Sequence, residues 1–330
     1  MKIFNKIMRR SFVLGLSSLS ATFMFSSMIN FSAAADEFPS KPIELVIHAK
    51  YGGGTDTTAR MVSIRARRNL GTDISIVSKR GGSGAKAQNY VLTKPANGYT
   101  VMALTQSHLY TMARGKSNMK INDLVGIARA MDDPTFITVS GKGKFKTLED
   151  LVAASKKAPL NWGVAQIGGT EHIGLAQFAK EAGIKFKVVP FGSGAQMVQA
   201  LMAGKIDATL PNVSEAANQV ADGSFRALAV MAENRLKDYP NVPTTFEKGI
   251  KAKCSTTRGY AVLASTPQPI IDQISKAMVK AMKHEVFASY LAGAGLTVDS
   301  SVAGTKVWDK QLKEEYLVAA SALKELGLVK

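Results

Sequence analysis

Four short glycine-rich runs carry the clearest chemistry in this sequence: Gly52-Gly53-Gly54-Thr55-Asp56, Gly81-Gly82-Ser83-Gly84, Gly168-Gly169-Thr170-Glu171-His172 and Gly192-Ser193-Gly194. Each follows a β-type run and opens a helix-length amphipathic stretch. Glycine lets a backbone approach a guest closely, and the first amides of the following helix point outward without intrahelical partners. The helix dipole adds to them, so each turn can hold an anionic oxygen. One such turn is ordinary in an α/β protein. Four of them, in both halves of the chain, predict a shared anion site in the crevice at the strand ends.

Other chemistries fit the spacing poorly. His48, His108, His172 and His284 stand apart, with no paired ligand spacing, so no metal or other cofactor is expected. Phe191-Gly192-Ser193-Gly194-Ala195 and Gly81-Gly82-Ser83-Gly84-Ala85 resemble a serine nucleophile turn, but each lacks one glycine of that motif. The phosphate-loop lysine and a complete dinucleotide fingerprint are missing. An exported hydrolase would need Ser83 or Ser193 within reach of a histidine. The chain is therefore read as a binding protein and not an enzyme.

The elements that must position these turns follow an α/β pattern with largely parallel sheets. Strands are expected at 43–47, 74–77, 100–104, 136–139, 161–164, 187–190, 208–210, 226–230 and 260–263. The clearest helices are 56–69, 85–93, 148–157, 171–182, 195–203, 270–282 and 302–326.

The N-terminus reads as an export signal. Lys2, Lys6, Arg9 and Arg10 precede an apolar stretch, and Ala33-Ala34-Ala35 suits signal peptidase, so 1–35 is expected to be removed before Asp36. Arg9-Arg10-Ser11-Phe12 also resembles a twin-arginine signal, which leaves the Sec and twin-arginine routes both open. Roughly 295 residues remain, enough for two domains. The formal charge of +17 falls to +13 with the loss of those four basic residues. This surplus suits an anionic solute. The basic residues are scattered and no nucleic-acid signature accompanies them, so no nucleic-acid partner is expected. Cys254, the one cysteine, excludes an internal disulfide and reads as a buried thiol.

From Phe38 onward the sequence resembles the solute receptors of tripartite tricarboxylate transporters, also called Bug receptors. The resemblance is carried by Phe38-Pro39-Ser40-Lys41-Pro42-Ile43, Gly53-Gly54-Thr55-Asp56-Thr57-Thr58-Ala59-Arg60, Asn97-Gly98-Tyr99-Thr100, Gly169-Thr170-Glu171-His172, Ala203-Gly204-Lys205-Ile206-Asp207, Arg226-Ala227-Leu228-Ala229-Val230 and Pro240-Asn241-Val242-Pro243-Thr244. It implies a type II periplasmic binding protein fold, two α/β lobes with a ligand cleft between them. The first lobe would hold 36–139 plus 259–330 and the second 140–258, with the C-terminal helices packed on the first. It further implies a periplasmic monomer that captures a small di- or tricarboxylate, citrate-like, and delivers it by lobe closure to membrane permease subunits. A receptor that reports to a membrane sensor kinase would use the same closure.

The resemblance implies a ligand site drawn from both lobes. The first lobe would offer Gly53, Gly54, Thr55 and Asp56, then Gly82, Ser83 and Gly84, then Thr105 and Ser107. The second would offer Gly169, Thr170 and His172, then Gly192 and Ser193, then Asn212. Asp56 is read also as a helix N-cap, and Asp207 as a carboxylate that bonds backbone amides, since it would repel an acidic guest. The sequence departs from the family pattern at Lys50-Tyr51, at Lys79-Arg80-Gly81-Gly82 and at Thr257-Arg258-Gly259-Tyr260. A guanidinium can pair bidentately with a carboxylate, which makes Arg258 the candidate side-chain anchor. A solvated arginine at the crossing between lobes is its alternative, and Lys50 is a weaker second anchor.

Overall fold

The computed structural model describes residues 38–329; the expected signal peptide and its cleavage site lie outside these residues. The first part of the chain runs β1 (Ile43–Ile47), α1 (Gly54–Leu70), β2 (Ile74–Ser78), α2 (Ala85–Leu92), β3 (Thr100–Leu104), α3 (Gln106–Ala113) and β4 (Leu124–Pro134). The middle runs β5 (Phe136–Ser140), α4 (Leu148–Lys157), β6 (Leu160–Val164), α5 (Thr170–Ala182), β7 (Phe186–Pro190), α6 (Gly194–Met202), β8 (Ala208–Thr209), α7 (Val213–Ala221) and β9 (Phe225–Val230). The last part runs β10 (Ser255–Leu263), α8 (Gln268–Met282), α9 (Glu285–Ala292), α10 (Val298–Ser301), β11 (Ala303–Gly304) and α11 (Thr305–Glu325).

Among the described residues these strands form two sheets, ordered β11-β4-β10-β3-β1-β2 and β7-β6-β8-β5-β9. Strand β1 pairs in parallel with β2 and β3, and β6 in parallel with β7 and β8. Parallel strands in mid-sheet are covered on both faces and so read as near-continuous apolar runs. Ile43-Glu44-Leu45-Val46-Ile47 does so, with Leu45 and Ile47 facing α1 and α8 and Val46 facing α2 and α11. The second sheet packs Trp162, Phe178 and Leu175 on one face and Val198, Leu201 and Ala216 on the other. Each large apolar side chain fully buried in this way contributes roughly 1.5–3 kcal/mol. The C-terminal helices return to the first sheet, where Trp308 Nε1 donates to Tyr260 O at 3.0 Å and Ser275 Oγ donates to Ile127 O at 2.6 Å.

The chain changes sheets at Thr135, between β4 and β5, and returns between β9 and β10. The two crossings lie side by side: Thr135 N donates to Cys254 O at 3.2 Å and Met231 N to Thr135 O at 2.9 Å. Strand β5 belongs to the second sheet and the whole of β10 to the first, so the expected borders near residues 140 and 258 fall at the end of one strand and inside the other. Strand β4 was not expected from the sequence. Gly126, Ala128, Ala130 and Asp132 give it weak β propensity, and it is held as a strand by antiparallel pairing with β10 along its length and with β11.

Candidate functional site

The turns after β1, β6 and β7 converge on one chamber between the two sheets. Its wall includes Gly53, Gly54, Thr55, Thr105 and Ser107 from the first sheet's side and Thr170, Gly192, Ser193, Gly194 and Asn212 from the second's. Arg258 on β10 reaches it from the crossing. The chamber is narrow, with a cavity volume of about 40 Å³. Gly82 and Ser83 line a neighbouring, more open cleft instead, which shares His48, Ala165, Gln166 and Gly192 with the chamber.

Cross-sheet contacts close the chamber. Gly53 is the N-cap of α1 and has no side chain to cap with; the amide of Gly54 donates instead to Glu215 Oε1 of α7, at 3.0 Å. Gly169 opens α5 in the same way, and the Thr170 amide donates to Ser107 Oγ at 3.1 Å. Lys50 N reaches Gly192 O at 3.4 Å, and Ser83 Oγ donates to Ile167 O. Glycine is required here by close approach: a Cβ on Gly54 would strike Arg258 Nη2 and Glu215, and one on Gly53 would lie 2.8 Å from Ser193 Cβ.

Arg258 is a hub. Its side chain is 4% exposed and that of Asp133 is 0% exposed, and the two form an ion pair through Nη1. Nη2 donates to Asn212 Oδ1 at 2.9 Å and stands 4.0 Å from Glu215 Oε1. Asn212 Nδ2 in turn donates to Asp133 O at 2.7 Å, and Ser214 Oγ to Asp133 Oδ2. The network ties β4 and β10 to the start of α7 across the crossing. Burial pulls the guanidinium down most strongly of any one cause, but the charges of Asp133, Tyr290 and Glu215 and the hydrogen bond to Asp133 together outweigh it and hold Arg258 above its ordinary value.

The sequence reading missed the acidic part of the wall. Glu171 and Glu215 both line the chamber, as do His48, Gln166 and Thr256. Burial raises the Glu171 carboxyl to about 7, with the Glu215 charge adding to it. Burial also raises Glu215, against the pull of Arg258. His48 is pushed down to about 4 by burial and then by Arg258, so it is neutral at pH 7. Glu215 carried a readable local signal, because Asn212-Val213-Ser214-Glu215 is a capping box at the start of α7. Its reach to Gly54 is tertiary and leaves no local trace.

The remaining expected residues lie off the chamber wall. Asp56 sits in the first turn of α1, while the N-cap is Gly53; Asp56 Oδ2 accepts from Gly52 N at 2.8 Å and from Arg60 Nε at 2.9 Å. Gly84 is the N-cap of α2 at φ 102°, packed against His108. Gly169 packs on Ser107, and His172 Nδ1 accepts from Gly168 N at 2.8 Å. Asp207 Oδ2 accepts from Asn161 N at 2.8 Å, as a carboxylate that bonds backbone amides. Several polar atoms on chamber residues have no partner in the described structure: His48 Nδ1, Thr105 Oγ1, Gln166 Oε1, Thr256 Oγ1 and Arg258 Nε. Buried polar groups are normally paired, so these five atoms retain hydrogen-bonding capacity on the chamber residues.

Comparison with known proteins agrees with this architecture. The model of the tripartite tricarboxylate transporter family receptor matches residues 58–322. Protein BugT of Bordetella pertussis is 24% identical over 292 residues, covering 86% of this chain and 89% of BugT. The crystal structure of a TctC solute binding protein from Polaromonas is 28% identical with a TM-score of 0.66, covering 87% of this chain and 99% of that one. MatC from Rhodopseudomonas palustris, with bound malate, is 22% identical with a TM-score of 0.80, covering 87% of this chain and 100% of that one. The fold is that of the two-lobed periplasmic binding proteins, and the chain belongs to the tripartite tricarboxylate transporter family of solute-binding receptors.

Proposed function

We propose that this receptor captures a small carboxylate in the chamber between its lobes and delivers it, in the closed shape, to permease subunits of a tripartite tricarboxylate transporter in the membrane. The observation that carries the reading is the convergence of glycine turns from both sheets on one cavity whose wall holds unpartnered polar atoms. The opening amides of α6 and the hydroxyls of Thr55, Thr105, Ser193 and Thr256 are the groups we assign to the solute's carboxylate. Hydroxyls and amides of this kind hold an anion without bringing a full charge of their own. The malate bound in MatC supports a carboxylate as the solute class.

Lobe borders follow the sheets in this proposal, with the outward crossing at Thr135 and the return in 231–254. Arg258 acts mainly through Asp133 and Asn212, holding the crossing in register while one edge faces the chamber. A di- or tricarboxylate is the solute expected by family likeness, and the pairing of Arg258 leaves a second carboxylate with a weaker seat. Export to the periplasm is part of the same proposal. No helix among the described residues is long and apolar enough to cross a membrane.

A thermal-shift panel of small carboxylates, aromatic acids and neutral amides tests the reading, because a ligand of the native state raises the melting point by mass action. Carboxylates should shift it and neutral amides should not. A panel in which only uncharged compounds shift it would reject a carboxylate solute.

A further inference from the structure

We propose that Glu215 is a built-in stand-in for the solute's carboxylate: it latches the two lobes together by taking the opening amide of α1, and it must release that amide for a solute to be captured. This rests on the reading of the chamber as a carboxylate site and adds a residue that sets its affinity. The surroundings of the Glu215 carboxylate carry the inference. Its Oε1 accepts from Gly54 N at 3.0 Å, at the head of a helix of 17 residues, and is ion-paired with Arg258 Nη2 at 4.0 Å. A Cβ on Gly194, at the head of α6, would overlap both of its oxygens. The starts of α1 and α6 and a buried guanidinium thus surround one carboxylate, which is how a bound anion is held.

Local capping does not account for this position. Glu215 closes a capping box onto the amide of its own N-cap, Asn212. That bond is 3.4 Å long, whereas the bond to Gly54 N, at 3.0 Å, is within the usual range. The better bond is therefore the one that crosses the chamber to the other sheet. Independently of Glu215, Thr105 Oγ1, Thr256 Oγ1 and His48 Nδ1 are buried on the same wall without partners, so the wall has bonding capacity for an exchange of guests.

Size makes the latch a gate. A cavity of about 40 Å³ has room for about three water molecules. Malate or succinate needs more, so its entry parts the turns of the two lobes, and the bond from Gly54 to Glu215 spans them. Capture is then an exchange of carboxylates: Glu215 withdraws with α7 and the second lobe, the solute takes the Gly54 amide, and the lobes close again on the guest. The internal carboxylate competes with every carboxylate alike, and so lowers affinity without choosing among solutes.

Titration calorimetry with malate and succinate on the native protein, Glu215→Gln and Glu215→Ala tests this. Glutamine keeps an oxygen for Gly54 N and loses the charge, whereas alanine frees the amide. Affinity should rise about tenfold or more in Glu215→Ala and clearly less in Glu215→Gln. Equal rises would reduce Glu215 to a repelling charge, and a fall in Glu215→Ala would make it a group that holds the solute. Either result overturns the inference and leaves the carboxylate reading standing. Small-angle X-ray scattering reads the latch itself: solute-free native protein should be as compact as its complex, and solute-free Glu215→Ala more expanded. Should the alanine variant fold poorly, the native protein still decides, because a solute-free form clearly more expanded than the complex overturns the latch. Silence of both acids and of the whole carboxylate panel on all three proteins would overturn the carboxylate reading, and the stand-in with it.

Discussion

The turn at 53–55 lines the chamber, whereas the turn at 82–83 lines the cleft beside it, although both follow parallel strands of one sheet. The first opens a helix of 17 residues and faces Ser193, Arg258 and Glu215 at close range. The second is a short 3-10 turn in which Ser83 takes a left-handed φ of 54°, and its hydroxyl is spent on the Ile167 carbonyl. Two turns alike in composition thus differ in what stands opposite them. Glycine permits approach, and the facing lobe decides whether approach makes a chamber or a rim.

The largest effect that would sharpen this contrast is expected at the crossing behind the chamber. Arg258→Ala leaves Asp133 buried and uncompensated, so urea denaturation should show a loss of about 3–5 kcal/mol. A loss below about 1 kcal/mol, as for an exposed ion pair, would place Arg258 in solvent and break the description of the hub. Next comes Gly54→Ala, whose Cβ meets Arg258 and Glu215. Overpacking of this kind costs about 1–3 kcal/mol, and solute affinity measured by calorimetry should fall at least tenfold with it.

A smaller effect is expected in the dependence of stability on pH. Glu171 and Glu215 hold their protons more tightly folded than unfolded, so their contribution is complete below the ordinary carboxylate value of 4.5; that of Glu171 is lost as the pH rises through about 7, and that of Glu215 as the pH rises through its own raised value. Solute-free protein should therefore lose denaturation free energy across that window, and Glu171→Gln should flatten the slope. The smallest effect belongs to the rim: Ser83→Ala removes one hydrogen bond at an exposed site and should change stability by no more than about 1 kcal/mol, with solute affinity altered only a few-fold. A larger loss of affinity at Ser83 than at Gly54 would reverse the contrast between rim and chamber.

Much of the fold is legible because local signals agree with it. Strands at 43–47 and 100–104 and the helix at 148–157 fall where alternation, apolar runs and the Thr147 cap place them. The helices at 106–113 and 213–221 went unread, although Asn212-Val213-Ser214-Glu215 announces the second. Strand β4 is made by its partners rather than by its own residues. At the site, the glycine turns and small hydroxyls are visible as motifs. His48, Glu171, Glu215 and Thr256 are brought to the chamber by the meeting of two sheets, and no spacing along the chain records that meeting.

The most direct measurement is a crystal structure of the protein with the carboxylate that raises its melting point most. The account predicts the solute inside the chamber, one carboxylate within hydrogen-bond distance of the start of α6 and of Thr105 or Thr256, with Glu171 and Glu215 alongside it. A solute seated in the cleft beside Arg80 and Ser83, with the chamber unchanged, would contradict it.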